Sequence, residues 1–349
     1  MLLAGDVGGT NTRLGLFAPG ATRPALIQVR TYRTSAFDGL VPMLTAFLGD
    51  TGTGVDQIHG AAFGVAGPVV GQCVDLTNAD WWIDGGDVAA ALGLRRVSLL
   101  NDLTAMARAI PMLLPDERVT LQAGEADPRG AVALIAPGTG LGEAFLVRDG
   151  DRLIASPSEG GHADFAPRTP RELALLAYLT GRFGRVDYER VLSGPGLVNI
   201  HGFVHTSPCP ALAGDAGDQA ARISAAALAG SCAGCVDTLA LFVSALGAEA
   251  GNMALRTVAT GGVYLGGGIP PKILPALCQP MFLDAFRAKE PLGDLVARVP
   301  VHVIVHPDPA LLGAAIAAAD DRTASPPASA ARSDAKGSDS QRTNGALGI

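Results

Sequence analysis

"LLAGDVGGTNTRLGLF" (Leu2–Phe17) sets two short apolar runs on either side of a turn made of Gly, Asp, Thr and Asn. Glycines let a backbone approach an anion closely, and clustered amides bind phosphate. The residues that follow exclude two common phosphate turns. A Walker A turn ends in Gly-Lys-Ser/Thr ahead of a helix, whereas Gly8-Gly9 is followed by Thr10-Asn11 without a lysine. A dinucleotide-binding turn also opens into a helix, whereas Arg13-Leu14-Gly15-Leu16-Phe17 reads as a second strand. The stretch is therefore expected to form a β-hairpin. Taken alone, it is equally an ordinary hairpin turn, for which Gly and Asn suffice.

A turn of the same kind returns about 130 residues later in "AVALIAPGTGLGEAFLV" (Ala131–Val147), which suggests an internal duplication with each half led by a hairpin. Between the two, "GAAFGVAGPV" (Gly60–Val69) and "RRVSLLN" (Arg95–Asn101) read as buried strands. "FDGLVPMLTAFLGD" (Phe37–Asp50) and "DVAAALGL" (Asp87–Leu94) read as helices between them. Strands alternating with helices indicate an α/β domain. Pro111 and Pro115 bracket a boundary. Residues 218–258 are Ala-rich and helical in pattern. "TGGVYLGGGIPPKIL" (Thr260–Leu274) then predicts a strand, a third Gly-rich turn and a Pro-started helix. A turn at the carboxyl end of a strand is where open α/β sheets bind ligands. "VPVHVIVH" (Val299–His306) predicts another strand and "PALLGAAIAAAD" (Pro309–Asp320) a last helix. After Asp320 apolar periodicity stops, and residues 321–349 are expected to be a disordered tail.

A chain of 349 residues is expected to hold two domains, and 48% hydrophobic residues suffice for a large core. The formal charge of −7 argues against a nucleic-acid-binding surface. The N-terminus lacks a basic region followed by a long apolar one. The most apolar stretch, between Asp237 and Glu249, is about eleven residues, too short to span a bilayer. Of the five cysteines, Cys232 and Cys235 form a CxxC with no second pair near it. Two helical cysteines in a reducing compartment, without metal, is the expectation.

Polar residues gather in short segments. Asn101-Asp102 follows a buried strand and starts a helix, where a carboxylate is stabilised as an anion; Asp102 could equally be a plain N-cap. Glu159 and His162 flank two glycines between Pro157 and Pro167, which makes a rigid polar loop. Glu189 precedes another Gly-rich segment and could as well pair with Arg190 on the surface. Trp81-Trp82 is expected to be a packed wall of a cleft rather than a stacking platform.

In order along the chain stand "GDVGGTN" (from Gly5), "LTNADWW" (from Leu76), "LLNDLTA" (from Leu99) and "APGTGLG" (from Ala136). "SEGGHADFAP" (from Ser158), "ERVLSGPGL" (from Glu189) and "GGVYLGGGI" (from Gly261) follow. Together they resemble the bacterial ATP-dependent glucokinases, from about residue 3 to residue 318. The resemblance implies the two-domain α/β hexokinase–actin-like (ribonuclease H-like) fold with an interdomain cleft. Residues 1–111 plus about 301–320 would form the small domain and residues 112–300 the large one. A sister group of sugar kinases and repressors carries a cysteine-rich zinc motif soon after its sugar-binding histidine. "GGHADFAPRTPRELALL" holds no cysteine, which disfavours that group. Its repressors also carry a DNA-binding domain in front, for which the chain, beginning on its first strand, is expected to leave no room.

The resemblance implies that Asp6, Gly8, Gly9, Thr10 and Asn11 approach the ATP phosphates, with Gly138, Thr139 and Gly140 doing so from the opposing domain. Gly266, Gly267 and Gly268 would lie under the adenosine. Asp6 would hold Mg²⁺ directly or through water. Asn101, Asp102, Glu159, His162 and Glu189 would contact D-glucose, with Asp102 as general base. Transfer of the γ-phosphoryl group of MgATP to the 6-hydroxyl follows, in a cytoplasmic homodimer without nucleic-acid or membrane partners. The alternatives are a kinase for another hexose and a non-catalytic sugar-binding regulator. The presence of both Asp6 and Asp102 favours the enzyme, since a sensor needs no base.

Overall fold

The structure, a computed structural model, describes residues 1–76, 79–150, 152–205, 208–213 and 217–323, with residues 321–323 described by backbone alone. Seven strands belong to the first third of the chain: β1 (Leu2–Val7), β2 (Asn11–Ala18), β3 (Ala25–Arg33), β4 (Gly60–Val65), β5 (Cys73–Leu76), β6 (Trp81–Asp84) and β7 (Ser98–Asn101). The others are β8 (Arg118–Gln122), β9 (Val132–Pro137), β10 (Leu141–Asp149), β11 (Arg152–Ser158), β12 (Gly262–Leu265) and β13 (Val301–Ile304). The early helices are α1 (Leu40–Thr51), α2 (Gly85–Leu92) and α3 (Asp102–Ala109). Then come α4 (Pro170–Phe183), α5 (Gly194–Val204), α6 (Gln219–Leu228) and α7 (Ala233–Thr257). Short α8 (Leu274–Leu277), α9 (Pro280–Arg287) and α10 (Gly293–Arg298) precede α11 (Pro309–Thr323).

The strands form two large sheets and a two-stranded ribbon, β5–β6. The first sheet runs β3-β2-β1-β4-β7, and the second runs β11-β10-β9-β12-β13-β8. In each, a three-stranded antiparallel meander is extended by two parallel strands. The duplication is thus a repeat of topology, with antiparallel β8 added at the edge of the second sheet.

Alternating residues in each leading strand serve two cores, as the two-residue period of a strand requires. Leu3 and Val7 of β1 pack with Met43, Leu44 and Phe47 of α1, while Leu2 and Ala4 pack with Leu311, Ala314 and Ala318 of α11. In β9, Ala133 and Ile135 face α7, while Val132 and Leu134 pack with Ala107 and Ile110 at the end of α3. Helices α3 and α11 therefore fill the space between the sheets. Their backbones touch: a Cβ on Gly313 would lie 1.6 Å from the Ala105 carbonyl oxygen, so only glycine fits there.

Three expectations change. Strand β13 hydrogen-bonds between β12 and β8, so residues 301–304 belong to the second sheet. The chain returns to the first sheet only with α11, at Pro309. The Pro-started segment after the third turn is a 3-10 turn, Pro270–Ile273, before α8. Helix α7 is 25 residues long and apolar enough, by length and composition, to cross a membrane, but it is mostly buried in the second core. Glu249 within it is fully buried and ion-paired with Arg256, which explains a charge inside an apolar helix. The last helix runs to Thr323, and the expected tail beyond it lies outside the described residues.

Candidate active site

Strand β7 ends at Asn101 and α3 starts on the next residue. Asn101 is the N-cap: its Oδ1 accepts from the amides of Leu103 at 3.0 Å and Thr104 at 3.2 Å, and its Nδ2 donates to the Gly67 carbonyl at 3.2 Å. The reading of Asp102 as a plain cap is thereby corrected. Asp102 occupies the first helical position, where its Oδ1 accepts from the Leu103 amide at 2.8 Å. Burial pushes its carboxyl up to about 6; the Leu103 amide opposes this, and the Asp6 and Glu159 carboxylates add to it. A carboxylate at that value is ionised at neutral pH and basic enough to take a proton.

Opposite Asn101 across a cleft of about 420 Å³ stand Pro157, Ser158 and Glu159 from the second lobe. The turn Gly160–His162 is fixed from below. A Cβ on Gly161 would lie 2.2 Å from the Leu141 carbonyl, and the Gly161 carbonyl accepts from the Glu189 amide at 2.9 Å. His162 is half-exposed, with Nδ1 3.3 Å from Asp187 Oδ2. Glu189 Oε2 accepts from the Leu141 amide at 2.9 Å, and a Cβ on Gly140 would come within 2.5 Å of it. Glu189 thus joins the Gly160–His162 turn to the second hairpin turn. Arg190 instead stacks its guanidinium on the Phe183 ring at 4.4 Å.

The first hairpin turn is pinned by Thr34, whose hydroxyl donates to the Gly8 carbonyl at 2.7 Å and whose amide donates to the Thr10 carbonyl at 3.0 Å. Asp6 pairs in register with Arg13, which also meets Asp308. Burial raises the Asp6 carboxyl, Arg13 lowers it, and Asp308 raises it. The second and third turns meet directly. Gly267, at φ +79°, would place a Cβ 2.5 Å from the Pro137 carbonyl, and Ile269 donates to that carbonyl at 3.2 Å. Gly138, Thr139, Gly194, Gly268 and Lys272 border one cavity of about 790 Å³ in the second lobe. The first turn does not line it.

Several site features escaped the sequence reading. Lys272 is the basic side chain bordering the large cavity, and "IPPK" beside three glycines was its signal. Glu143 is 1% exposed beneath Gly160, and both of its carboxyl oxygens lack a partner among the described residues. It is displayed in "GTGLGE" but was passed over as a strand residue. Trp81 packs in the first core and Trp82 is 69% exposed, so neither lines the cleft cavity as expected. Thr77 and Asn78 of "LTNADWW" lie outside the described residues.

Two lobes of repeated topology, each led by a Gly-turned hairpin, face each other across a cleft lined by Asn101 and Glu159, and solved glucokinases share this hexokinase–actin architecture. The family model named glucokinase matches residues 3–321. A glucokinase of Nostoc sp. is 40% identical over 91% of this chain and 99% of its own length. One of Aromatoleum aromaticum is 41% identical over 90% of this chain and 93% of its own. A solved glucokinase from an Antarctic psychrotroph superposes with a TM-score of 0.81 at 30% identity, covering 91% of this chain and 98% of that one. A ROK family glucokinase from Streptomyces griseus in complex with glucose and AMPPNP shares the fold, with a TM-score of 0.64 at 19% identity over 91% of this chain and 99% of that one. The chain belongs to the glucokinase family, and it is an ATP-dependent glucose kinase.

Proposed function

We propose that Asp102 is the general base that carries glucose O6 onto the γ-phosphorus of MgATP. O6 forms the new bond to phosphorus, the bond from phosphorus to the β–γ bridging oxygen breaks, ADP leaves, and the O6 proton passes to an Asp102 carboxylate oxygen. The observation that carries this is the position of Asp102 at the start of α3, buried beside cleft-lining Asn101, with Asp6 and Glu159 close enough to raise it. Phosphoryl transfer passes through a loose transition state, so positioning and charge neutralisation matter more than a strong base.

Asn101, Glu159, His162 and Glu189 hold the sugar hydroxyls. Gly8, Gly9, Thr10 and Asn11 approach the phosphates from the first lobe, and Gly138, Thr139 and Gly140 from the second. The adenosine lies in the 790 Å³ cavity over Gly266, Gly267 and Gly268, with Lys272 at its border. Asp6 would hold Mg²⁺, directly or through water, with a hard carboxylate oxygen, and its raised carboxyl fits a group that gains from a cation. When bound, Mg²⁺ neutralises phosphate charge. The two lobes correspond to residues 1–111 with 309–323, and 112–304. The enzyme works in the cytoplasm as a homodimer at the entry to glycolysis, as the family resemblance implies.

A coupled assay of glucose-dependent ADP release tests the reading. Glucose should exceed 2-deoxyglucose, mannose and fructose by at least roughly tenfold in kcat/KM, because an unpaired buried partner disfavours an analogue that lacks its hydroxyl or carries it in another position. Equal efficiency on glucose and mannose would point to a broad hexokinase.

A further inference from the structure

The sequence left Cys232-Ala-Gly-Cys235 alone on its helix, and the fold corrects that. His201 lies in the last turn of α5 and His205 is that helix's C-cap, their rings stacked with centroids 4.5 Å apart. The chain then brings Cys209 to the start of α7, where Cys232 is the N-cap and Cys235 lies in the first turn. Cys209 Sγ is 3.8 Å from Cys232 Sγ and 3.7 Å from Cys235 Sγ, and His205 Nε2 is 3.2 Å from Cys232 Sγ. One ligand atom each from His201, His205, Cys209 and Cys235 falls within 4.8 Å of the other three.

These separations are not disulfides, whose sulfurs stand about 2.0 Å apart. The two sulfur–sulfur separations match the edges of a zinc tetrahedron, and the 3.2 Å between His205 Nε2 and Cys232 Sγ is somewhat shorter than one. Zinc–sulfur bonds of about 2.3 Å and zinc–nitrogen bonds of about 2.0 Å give edges of roughly 3.8 Å between sulfurs and 3.5 Å between sulfur and nitrogen. A second observation concerns the same cluster: His201 Nε2 is buried without a hydrogen-bond partner among the described residues.

We propose that Cys209, Cys232, Cys235 and one imidazole of the His201–His205 pair bind a structural zinc ion. Thiolates with imidazole select zinc over the hard cations of the phosphate site. Four protein ligands leave no coordination position for a substrate, so the role is structural. The ligands come from the end of α5, the segment before α6 and the start of α7. Leu197 and Val198 of α5 and Ala221 and Ser224 of α6 line the large cavity, so the ion braces the outer wall of the nucleotide pocket. Binding releases the thiol protons to solvent.

The test is metal analysis of the full chain, purified anaerobically without chelator or polyhistidine tag. About one zinc per chain is expected, released by a mercurial thiol reagent. Stripped protein titrated with Co²⁺ should show a thiolate-to-cobalt charge-transfer band. Cys209→Ser should lose the zinc and the band, while Cys73→Ser and Cys278→Ser should keep both. Should Cys235→Ser fail to fold, the half-buried Cys209 variant still decides. Of the two histidine variants, the one that loses zinc names the nitrogen ligand. Metal-free wild-type protein without a cobalt band, undiminished zinc in Cys209→Ser, or a Cys209–Cys232 disulfide in thiol titration would each overturn the site.

Discussion

At the residue scale, two buried carboxyls, Asp102 of α3 and Glu143 of β10, give the protein two different responses to pH. Asp102 is held at about 6 mainly by burial, with Asp6 and Glu159 adding to it. A base works only when ionised, so kcat/KM should rise with pH through an acid limb centred near 6. Glu159→Gln removes one raising charge and should move that limb to lower pH; a shift upward would contradict the field of Glu159 as a cause. Asp102→Asn should fold, bind glucose and lose roughly two to four orders of magnitude in turnover, the range of a positioned acid–base group. Near-wild-type turnover would remove Asp102 from the role. Glu143 is raised to about 7, by burial first and then by Glu249, with Arg256 opposing. Its folded value exceeds the 4.5 of an exposed glutamate, so the contribution is present below pH 4.5 and lost as pH rises through 7. The full difference is ~3 kcal/mol. Glu143→Gln should therefore melt higher than the wild type at pH 8 and show a flatter stability–pH curve below it. Parallel curves for the two proteins in thermal unfolding would show that Glu143 does not hold its proton in the fold.

At the element scale, the glycine turns work as a fitted pair. Gly267 holds a left-handed φ of +79°, and its missing side chain lets the third turn close on Pro137 of the second hairpin. Gly267→Ala would force a Cβ against a carbonyl oxygen and part the two turns. The expected result is a lower melting temperature and at least a roughly tenfold rise in KM for ATP, with KM for glucose nearly unchanged, because nucleotide ordering needs the aligned backbone. A matched rise in both KM values would place the damage in the lobe as a whole. Both hairpins were legible because a Gly-rich turn between apolar runs is a local signal, and "SEGGHADFAP" was legible as a polar turn for the same reason. Strand β8 was not, since "RVTLQ" acquires its meaning only by pairing with β13, far along the chain. The assignment of β13 failed likewise: a buried apolar strand looks the same whichever sheet it joins. The cysteine–histidine cluster was hidden because Cys209 reaches Cys232 and Cys235 only through the packing of α5 and α6 on α7. Glu143 was hidden because alternation along β10 does not reveal which face lacks a partner.

At the scale of the whole molecule, α3 carries Asp102 and touches both lobes. Leu103 lies against Gly142 of β10, where a Cβ would come within 2.5 Å, and Met106 lies against Gly266, where a Cβ would come within 2.6 Å of its sulfur. On its other side the helix meets α11 at Gly313. The lobes are also clasped at their edge, where Arg23 donates to both carboxylate oxygens of Glu117, at 2.6 and 2.8 Å, and to the Met112 carbonyl at 3.0 Å. These contacts place a pivot beside the cleft and leave its mouth, between Asn101 and Glu159, free to narrow. In the proposed site, glucose would bridge Asn101 and Asp102 to Glu159, His162 and Glu189 and so would favour a narrowed form, since a ligand shifts a population only by such a difference. Saturating glucose without nucleotide should therefore reduce the radius of gyration and raise the melting temperature. Glu159→Gln should weaken both effects, because it removes one side of the bridge while leaving the nucleotide cavity intact. Small-angle scattering unchanged by glucose, alongside calorimetric proof that the sugar is bound, would mean that the two lobes already stand closed and that the cleft excludes water without moving.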